Sequence, residues 1–496
     1  MHGSDMGSFP HSGGPMKMSR TALVKFGLAF LVPALAQAQH FQWTQQLVTG
    51  PSPRSWSAMA YDAARHEGVL FGGWLGGTSY NYSNETWVWN GSAWTKKDAV
   101  GPSARVEHAM AYDSDRHVTV LFGGATGPST ESGETWEWNG ANWSLECDCG
   151  PSPRDSVGMA YDSVRHETVL FGGYGDNSET WVWDGTTWTE KVTVDGPSKR
   201  WGCAMAFDTS RGETVLFGGY TYDGLIVYGD TWVWDGNSWT ERDVPGPLAR
   251  VGHTMVYDEC RGVVVLFGGE STNAGAKLGD TWEWNGSAWT PQNISGPSPR
   301  AYHAMAYDTD RSKTVLFGGS PANGTVNGET WLLRTPLAIT TQPLSAATCP
   351  SGTAEFHVLA GGTCPITYTW QAQDTGPWMN LVDGSNVGVG SAFVGTVSGS
   401  GTGNLMVGPL MSVNPNAGFI RFRCIVSDTT GSVTSSQAFL ILCAADFNCD
   451  GFVNGDDYDF FASFFEDGDI GADLNTDGFV NGDDYDFFAE HFESGC

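Results

Sequence analysis

Six copies of one pattern occupy the chain between Ser57 and Trp331, and that repetition limits the fold more than any other feature. Each copy reads Y-D-x-x-R-x-x-x-V-L-F-G-G and then T-W-x-W-[ND]-G-x-x-W, with small departures. The paired glycines are Gly72-Gly73, Gly123-Gly124, Gly172-Gly173, Gly218-Gly219, Gly268-Gly269 and Gly318-Gly319, spaced 46 to 51 residues apart. A fixed period of this length marks an array of supersecondary units that bury their apolar faces against one another.

Within a copy the alternation predicts four short strands. In the first they are Ala58-Met59-Ala60-Tyr61, Val69-Leu70-Phe71, Thr86-Trp87-Val88-Trp89 and Trp94-Thr95. Trp87 and Trp89 lie two apart and so share a face. The links Asn90-Gly91, Asp184-Gly185 and Asp235-Gly236 signal tight hairpins, because both central residues tolerate positive φ. One sheet per unit makes a β-propeller the expected fold. The outer-strand tryptophans are Trp43, Trp94, Trp143, Trp188, Trp239 and Trp289. Trp43 precedes the first copy and the sixth ends without one, so the strand around Trp43 is expected to complete the sixth blade and remove the open edge.

The diglycine ending the second strand, the aromatic in the third, the Trp in the fourth and a lead-in arginine (Arg54, Arg105, Arg154, Arg200, Arg250, Arg300) resemble the kelch family over residues 40 to 335. The resemblance implies a six-bladed kelch-type propeller, here bounded at 39–336, and such propellers are mostly binding platforms. A fold alone does not assign a function. Three positions after each lead-in arginine stand Ser57, His108, Val157, Cys203, His253 and His303. His253 and His303, on neighbouring blades, are read as structural histidines rather than metal ligands, since no carboxylate recurs beside them. His66, His117 and His166 follow an arginine in a surface hairpin and are expected to be solvated. The loops between second and third strands vary most, and recognition sits on such loops. Trp74, Tyr82, Tyr174 and Tyr222 are therefore the expected ligand rim, suited to sugar rings or a protein surface.

Targeting and charge restrict the setting. Lys17, Arg20 and Lys25 lead into an apolar stretch and Ala36-Gln37-Ala38, which reads as an N-terminal extension with a signal peptide over 1–38. No other run is long enough to span a bilayer. The expected location is secreted, extracellular or at the cell surface. With 25 Lys plus Arg against 55 Asp plus Glu, a formal charge of -30 excludes nucleic acid as a natural partner. Residues 337–443 change character: Glu355 to Ala360, Tyr368-Thr369-Trp370 and Phe419 to Val426 resemble strands of an immunoglobulin-like sandwich, with Trp370 and Cys424 in its core and Val358 where a second Cys would stand. Ten cysteines in an exported chain favour disulfides. Cys349, Cys364, Cys424 and Cys443 pair in one of three ways. Cys147 and Cys149 are too close for an ordinary bridge, and Cys203 and Cys260 fall in different blades.

The last segment, 444–496, carries two matched loops. Asp446, Asn448, Asp450, Asn454 and Asp457, with the carbonyl of Phe452, match the spacing of a Ca²⁺ loop. Asp473, Asn475, Asp477, Asn481 and Asp484, with the carbonyl of Phe479, repeat it. Two Ca²⁺ ions are the expected cofactor. From Asp446 onward there are 15 Asp plus Glu and no Lys or Arg, so folding is expected to couple to the metal. Duplicated loop-helix units of this kind resemble dockerin, the EF-hand-like module that binds cohesin. Gly455-Asp456 and Gly482-Asp483 replace the hydroxyl residues of many dockerins, so the resemblance implies a protein partner, cohesin-like or at the cell surface, with its own specificity.

The expected fold class is thus mainly β: a six-bladed propeller, an Ig-like β-sandwich and a small α-helical calcium-binding module. The expected function is that of a secreted binding or scaffold protein, linked to polysaccharide binding or breakdown. The alternative is an extracellular carbohydrate-active enzyme, a hydrolase, lyase or galactose-oxidase-like oxidase. No paired-carboxylate or nucleophile motif identifies catalytic residues.

Overall fold

The computed structural model describes residues 42–77, 80–175, 177–221, 226–271, 275–322, 324–348, 352–373, 376–387, 393–413, 420–442, 453–467 and 479–494. The chain is mainly β, built of small antiparallel sheets, and among the described residues helix is confined to the C-terminal part. Six four-stranded sheets take up the repeats. The first runs Ala58–Asp62, Glu67–Phe71, Thr86–Trp89, Trp94–Lys97 in spatial order. The sixth is ordered Gln42–Gln46, Thr330–Arg334, Lys313–Phe317, Ala304–Asp308, so its outer strand comes from the start of the array, and Trp43 lies opposite Leu333.

The second strands explain why the sheets stack. Val69, Leu70 and Phe71 are all fully buried, which is what a short continuous apolar run becomes when both faces of its sheet are covered. On one side Met59, Tyr61, Leu70 and Trp89 pack against Ala304, Ala306, Val315 and Phe317 of the sixth sheet. On the other, Ala60, Val69, Phe71 and Val88 meet Met110, Leu121 and Trp138 of the second.

Two hydrogen-bond series tie each sheet to a neighbour, and both run on from the sixth sheet to the first. The outer tryptophan Nε1 donates to the third-strand Thr Oγ1 of the preceding sheet at 2.8–3.1 Å: Trp143 to Thr86, Trp188 to Thr135, Trp239 to Thr180, Trp289 to Thr231, Trp43 to Thr281 and Trp94 to Thr330. The second glycine of each pair donates its N–H to the lead-in arginine carbonyl of the following sheet, from Gly73 to Arg105 round to Gly319 and Arg54. The first glycine makes room for that approach. A Cβ on Gly123, at φ 71°, would lie 2.4 Å from the Arg154 carbonyl oxygen.

The middle region holds two larger sheets beside a two-stranded pairing of Ala338–Thr341 with Leu359–Gly361. One contains Thr367–Gln373 beside Ile420–Asp428, with Trp370 opposite Cys424; the other contains Ala354–His357 and Asn404–Val413. They share one core of Phe356, Val358, Trp370, Phe422 and Cys424. Two expectations about cysteines are corrected here. Cys147 and Cys149 are bridged, their Cα atoms 5.2 Å apart across a bend at Asp148 that follows the strand Trp143–Cys147. Cys364 pairs with Cys260, across the boundary between repeats and middle region, rather than with a cysteine of its own region. Cys260 lies in a hairpin turn whose N–H donates to the Tyr307 hydroxyl, beside Ser312, whose hydroxyl donates to the Cys364 carbonyl. Cys203 and Cys424 are buried free thiols, and Cys349 and Cys443 lie outside the described residues. Among the described residues no helix is long and apolar enough to cross a membrane.

Candidate recognition mouth and calcium module

Between each lead-in arginine and its inner strand lies one residue in the left-handed region. These six are Trp56, Glu107, Ser156, Gly202, Gly252 and Tyr302, with φ of 57°, 58°, 55°, 65°, 65° and 59°. Their backbones form a ring. Glu107 N–H donates to Trp56 C=O, Ser156 to Glu107, Gly202 to Ser156, Gly252 to Gly202, Tyr302 to Gly252 and Trp56 to Tyr302, at 2.7–3.1 Å. Glycine adopts this conformation freely, whereas a bulky L-residue there costs about 1–2 kcal/mol. Two members are glycine; two are large aromatics and one is an acid. Gly252 is needed for its neighbour, since a Cβ there would lie 2.4 Å from Tyr302 Cε1. Backbone strain of this kind gathers at functional sites.

The collar surrounds a cavity of ≈ 120 Å³ walled by Trp56, Glu107, Trp201 and Tyr302. Below it a channel of ≈ 440 Å³ runs between the six inner strands. Ser57, His108, Cys203, His253 and His303 line both. Burial, with the nearby Asp155 second, pushes the Glu107 carboxyl up to about 8. Burial also lifts Asp155 to about 6, with Glu131 adding to the effect and a hydrogen bond to Ser156 opposing it. A carboxyl with no cation beside it keeps its proton in such surroundings.

Two of the expected rim residues, Trp74 and Tyr174, lie against aromatics of this mouth. Trp74 is half-buried, bridges Ser55 and Tyr82 by backbone pairing, and its ring lies 5.4 Å from Trp56. Tyr82 is half-buried too, with Tyr80 at 6.0 Å. Tyr174 is exposed, 5.9 Å from Trp201, which in turn lies 5.5 Å from Tyr220. Tyr222 lies outside the described residues. The collar residues themselves escaped the sequence reading. The available signal was unlike residues at one position of an otherwise uniform repeat.

The channel histidines are wedged between sheets. His108, His253 and His303 set their rings edge-on to Phe71, Phe217 and Phe267 of the preceding sheet, and His303 Nε2 is 2.7 Å from Thr254 Oγ1. Burial, then the lead-in arginine, holds His108 and His303 down to about 3; His253 is also held well below its usual value, burial first. No cluster of three metal-binding side chains occurs among the described residues. His66 and His166 are exposed but pair with Asp310 and Asp115, and all three hairpin histidines, His117 included, have positive φ.

In the C-terminal segment, Asp446, Asn448, Asp450, Phe452, Asp473, Asn475 and Asp477 lie outside the described residues. The remaining expected ligands are arranged alike in both copies. α1 (Gly455–Asp467) begins after Asn454, whose Oδ1 accepts from Asp456 N–H while Asp457 Oδ2 accepts from Asn454 N–H. α2 (Gly482–Ser494) repeats this with Asn481, Asp483 and Asp484. This reciprocal pattern is a capping box. It turns the fully buried Asp457 and Asp484 toward the loop preceding their own helix, where oxygen donors at loop positions 9 and 12 suit a hard cation. Phe479, expected to bind through its carbonyl, has an exposed side chain. Phe461 and Phe488 stack in parallel at 4.2 Å between the helices.

No protein-family model and no curated protein matches the chain. Among solved structures, the N-terminal Ig1-2 module of the Drosophila receptor protein tyrosine phosphatase DLAR is similar over 22% of this chain and 50% of its own, at 20% identity and a TM-score of 0.16. A chimeric titin Z1Z2 carrying a KLER exogenous peptide from decorin is similar over 22% of this chain and 97% of its own, at 17% identity and a TM-score of 0.15. The chain thus spans half the length of the Drosophila module.

Proposed function

We propose that the chain is a secreted modular binding protein. Its repeats form a six-bladed kelch-type propeller with the collar mouth as recognition platform. The middle region is an Ig-like spacer, and the C-terminal segment is a dockerin-like module that holds two Ca²⁺ ions and docks to a protein partner. Support for the propeller comes from the pairing of Gln42–Gln46 with Thr330–Arg334 and from the bonds that pass from sixth sheet to first. The observation that carries recognition is the collar: Trp56, Glu107 and Tyr302 stand where the backbone favours glycine, so their side chains are retained at a conformational cost. The reading is tested by probing a printed array of polysaccharides and proteins with the full chain and with Trp201→Ala. Array signals that survive unchanged in the variant would place recognition elsewhere.

Calcium would be held by Asp446, Asn448, Asp450, Asn454 and Asp457 with the Phe452 carbonyl, and by their second-loop counterparts. There it would neutralise acid that no Lys or Arg of the segment balances. With Ca²⁺ present the segment resists protease. A chelator should make cleavage within 446–496 at least tenfold faster while the repeats stay intact; equal rates would refute calcium-coupled folding.

One feature favours enzymatic activity as a second reading: Glu107 stands on the cavity wall with its carboxyl raised by burial, which suits it to give a proton to a leaving oxygen. Shortened polysaccharide products that vanish with Glu107→Gln would establish it.

A further inference from the structure

Resting on the mouth as a recognition site, the chemistry of the collar narrows its ligand. Glu107 is the carboxyl on the cavity wall, and no Lys or Arg lines that cavity. The charge that acts on it is Asp155, of its own sign, with Glu131 acting on Asp155 in turn. Nearby cations are committed elsewhere. Arg105 forks onto the Gly123 carbonyl and Glu134. Lys277 pairs with Glu270 and lies 5.2 Å from the Tyr302 ring centre.

Two further features make demands of the same sign. Trp56 and Tyr302, 5.4 Å apart and inclined at 56°, present ring faces whose quadrupole is negative. Deeper in, the Ser57 hydroxyl and the neutral imidazoles of His108 and His253, 9%, 5% and 4% exposed, line the cavity and carry acceptor lone pairs as well as donors. Those acceptors suit an incoming N–H. A protonated primary amine satisfies all three: it brings one positive charge and three donors in a small volume. A cavity of ≈ 120 Å³ has room for an ammonium and its adjoining carbons, with the sugar ring placed at its opening. There Trp74 extends from Trp56, and Tyr174 and Tyr220 flank Trp201, giving aromatic surfaces on which sugar faces stack.

We propose that the collar seats the protonated amine of an amino-sugar chain, with Glu107 as its counter-ion and Trp56, Trp201 and Tyr302 around it. Binding then exchanges a neutral carboxylic acid and a free ammonium for an ion pair plus one proton released to solvent. The other titratable groups facing Glu107 are Asp155, Tyr82 and Tyr302, with His108 beside it in sequence. Burial raises both tyrosines and keeps His108 neutral, so the proton comes from the carboxyl pair, chiefly Glu107 at about 8 with Asp155 at about 6 beside it.

The test is calorimetric titration of the full chain with Ca²⁺ present, at about pH 6, in two buffers of different ionisation heat. The probes are hexameric glucosamine, its fully N-acetylated form, a neutral glucose hexamer and tri-lysine. The glucosamine hexamer is expected to bind at least tenfold more tightly than the other three, with close to one proton released. Glu107→Gln, shown to be folded by a cooperative melting transition, should lose that preference and most of the proton release. The release in the unaltered protein is read independently of any variant. Neutral hexamers that bind as well as the amine without releasing protons, and fail with Trp201→Ala, overturn the amine while leaving the mouth as a recognition site. Tri-lysine binding equal to the glucosamine hexamer overturns the saccharide. No binding by any probe overturns the proposal, and the array above then judges the mouth itself.

Discussion

Each lead-in arginine is a fully buried cation held by one fork. Arg105 donates to the Gly123 carbonyl at 2.9 Å and to Glu134 at 2.6 Å, and the other five repeat this bond to the first glycine and pair with Glu85, Glu179, Asp230, Asp280 and Glu329. Removing the arginine leaves the buried Gly123 carbonyl without its donor, a loss of about 1–3 kcal/mol, while the partly exposed Glu134 turns to water. Arg105→Ala is therefore expected to lower the urea midpoint strongly, and Arg105→Lys to recover little, since an ammonium lacks the planar fork. The channel histidines set the acid side of the stability profile. In the unfolded chain each imidazole takes a proton near pH ~6.5, whereas in the fold His108 and His303 wait until about 3. The unfolded state binds more protons between those values, so stability is present above pH ~6.5 and falls as pH drops through that window. Glu107 acts with the opposite sign. Its folded value of about 8 lies above the unfolded ~4.3, so its contribution is lost as pH rises toward 8. Denaturation at pH 5, 7 and 8.5 should show His303→Gln flattening the acid limb and Glu107→Gln flattening the alkaline one.

At the scale of strands, Gln42–Gln46 has the largest lever. Trp43 is buried, packs edge-on to Phe267 at 5.2 Å and donates to Thr281. Trp43→Ala should destabilise by about 3–5 kcal/mol, and deleting 42–46 should lower the melting temperature further by baring the edge of Thr330–Arg334. Removing residues 1–38 serves as the control. That pairing was readable in the sequence because outer-strand tryptophans recur at a fixed place and the sixth copy lacks its own. Tyr82 and Tyr174 were readable as residues of the variable loops for a similar reason. The collar was not: positive φ at Trp56, Glu107 and Tyr302 has no signature in residue type, and the unlike residues flanked strands that drew attention to themselves. The Cys147–Cys149 bridge has no signature in strand spacing, since it depends on a local bend after the strand. The Cys260–Cys364 bridge is hidden because it joins two regions of different sequence character.

For the molecule as a whole, the Cys260–Cys364 bridge joins the repeat array to the middle region across 104 residues. Closing a loop of that size removes about 4–5 kcal/mol of unfolded-chain entropy in the chain-entropy model. The double variant Cys260→Ser, Cys364→Ser should keep both cores, which rest on separate clusters, yet melt earlier and sample a wider spread of shapes. Calorimetry with small-angle scattering checks both. Unchanged scattering would show that the bridge adds no restraint.

The meeting of Gln42–Gln46 with Thr330–Arg334 in one sheet also dictates a timetable. At a synthesis rate of ~5–20 residues per second, the earlier strand emerges roughly 15–60 seconds before its partner exists. Five sheets can assemble from chain that is already at hand; the sixth waits for the last strand of the array. Throughout that interval a Trp-bearing strand is without its neighbour, which makes it the segment most open to capture by another nascent chain. The vulnerable moment for this protein is therefore its birth.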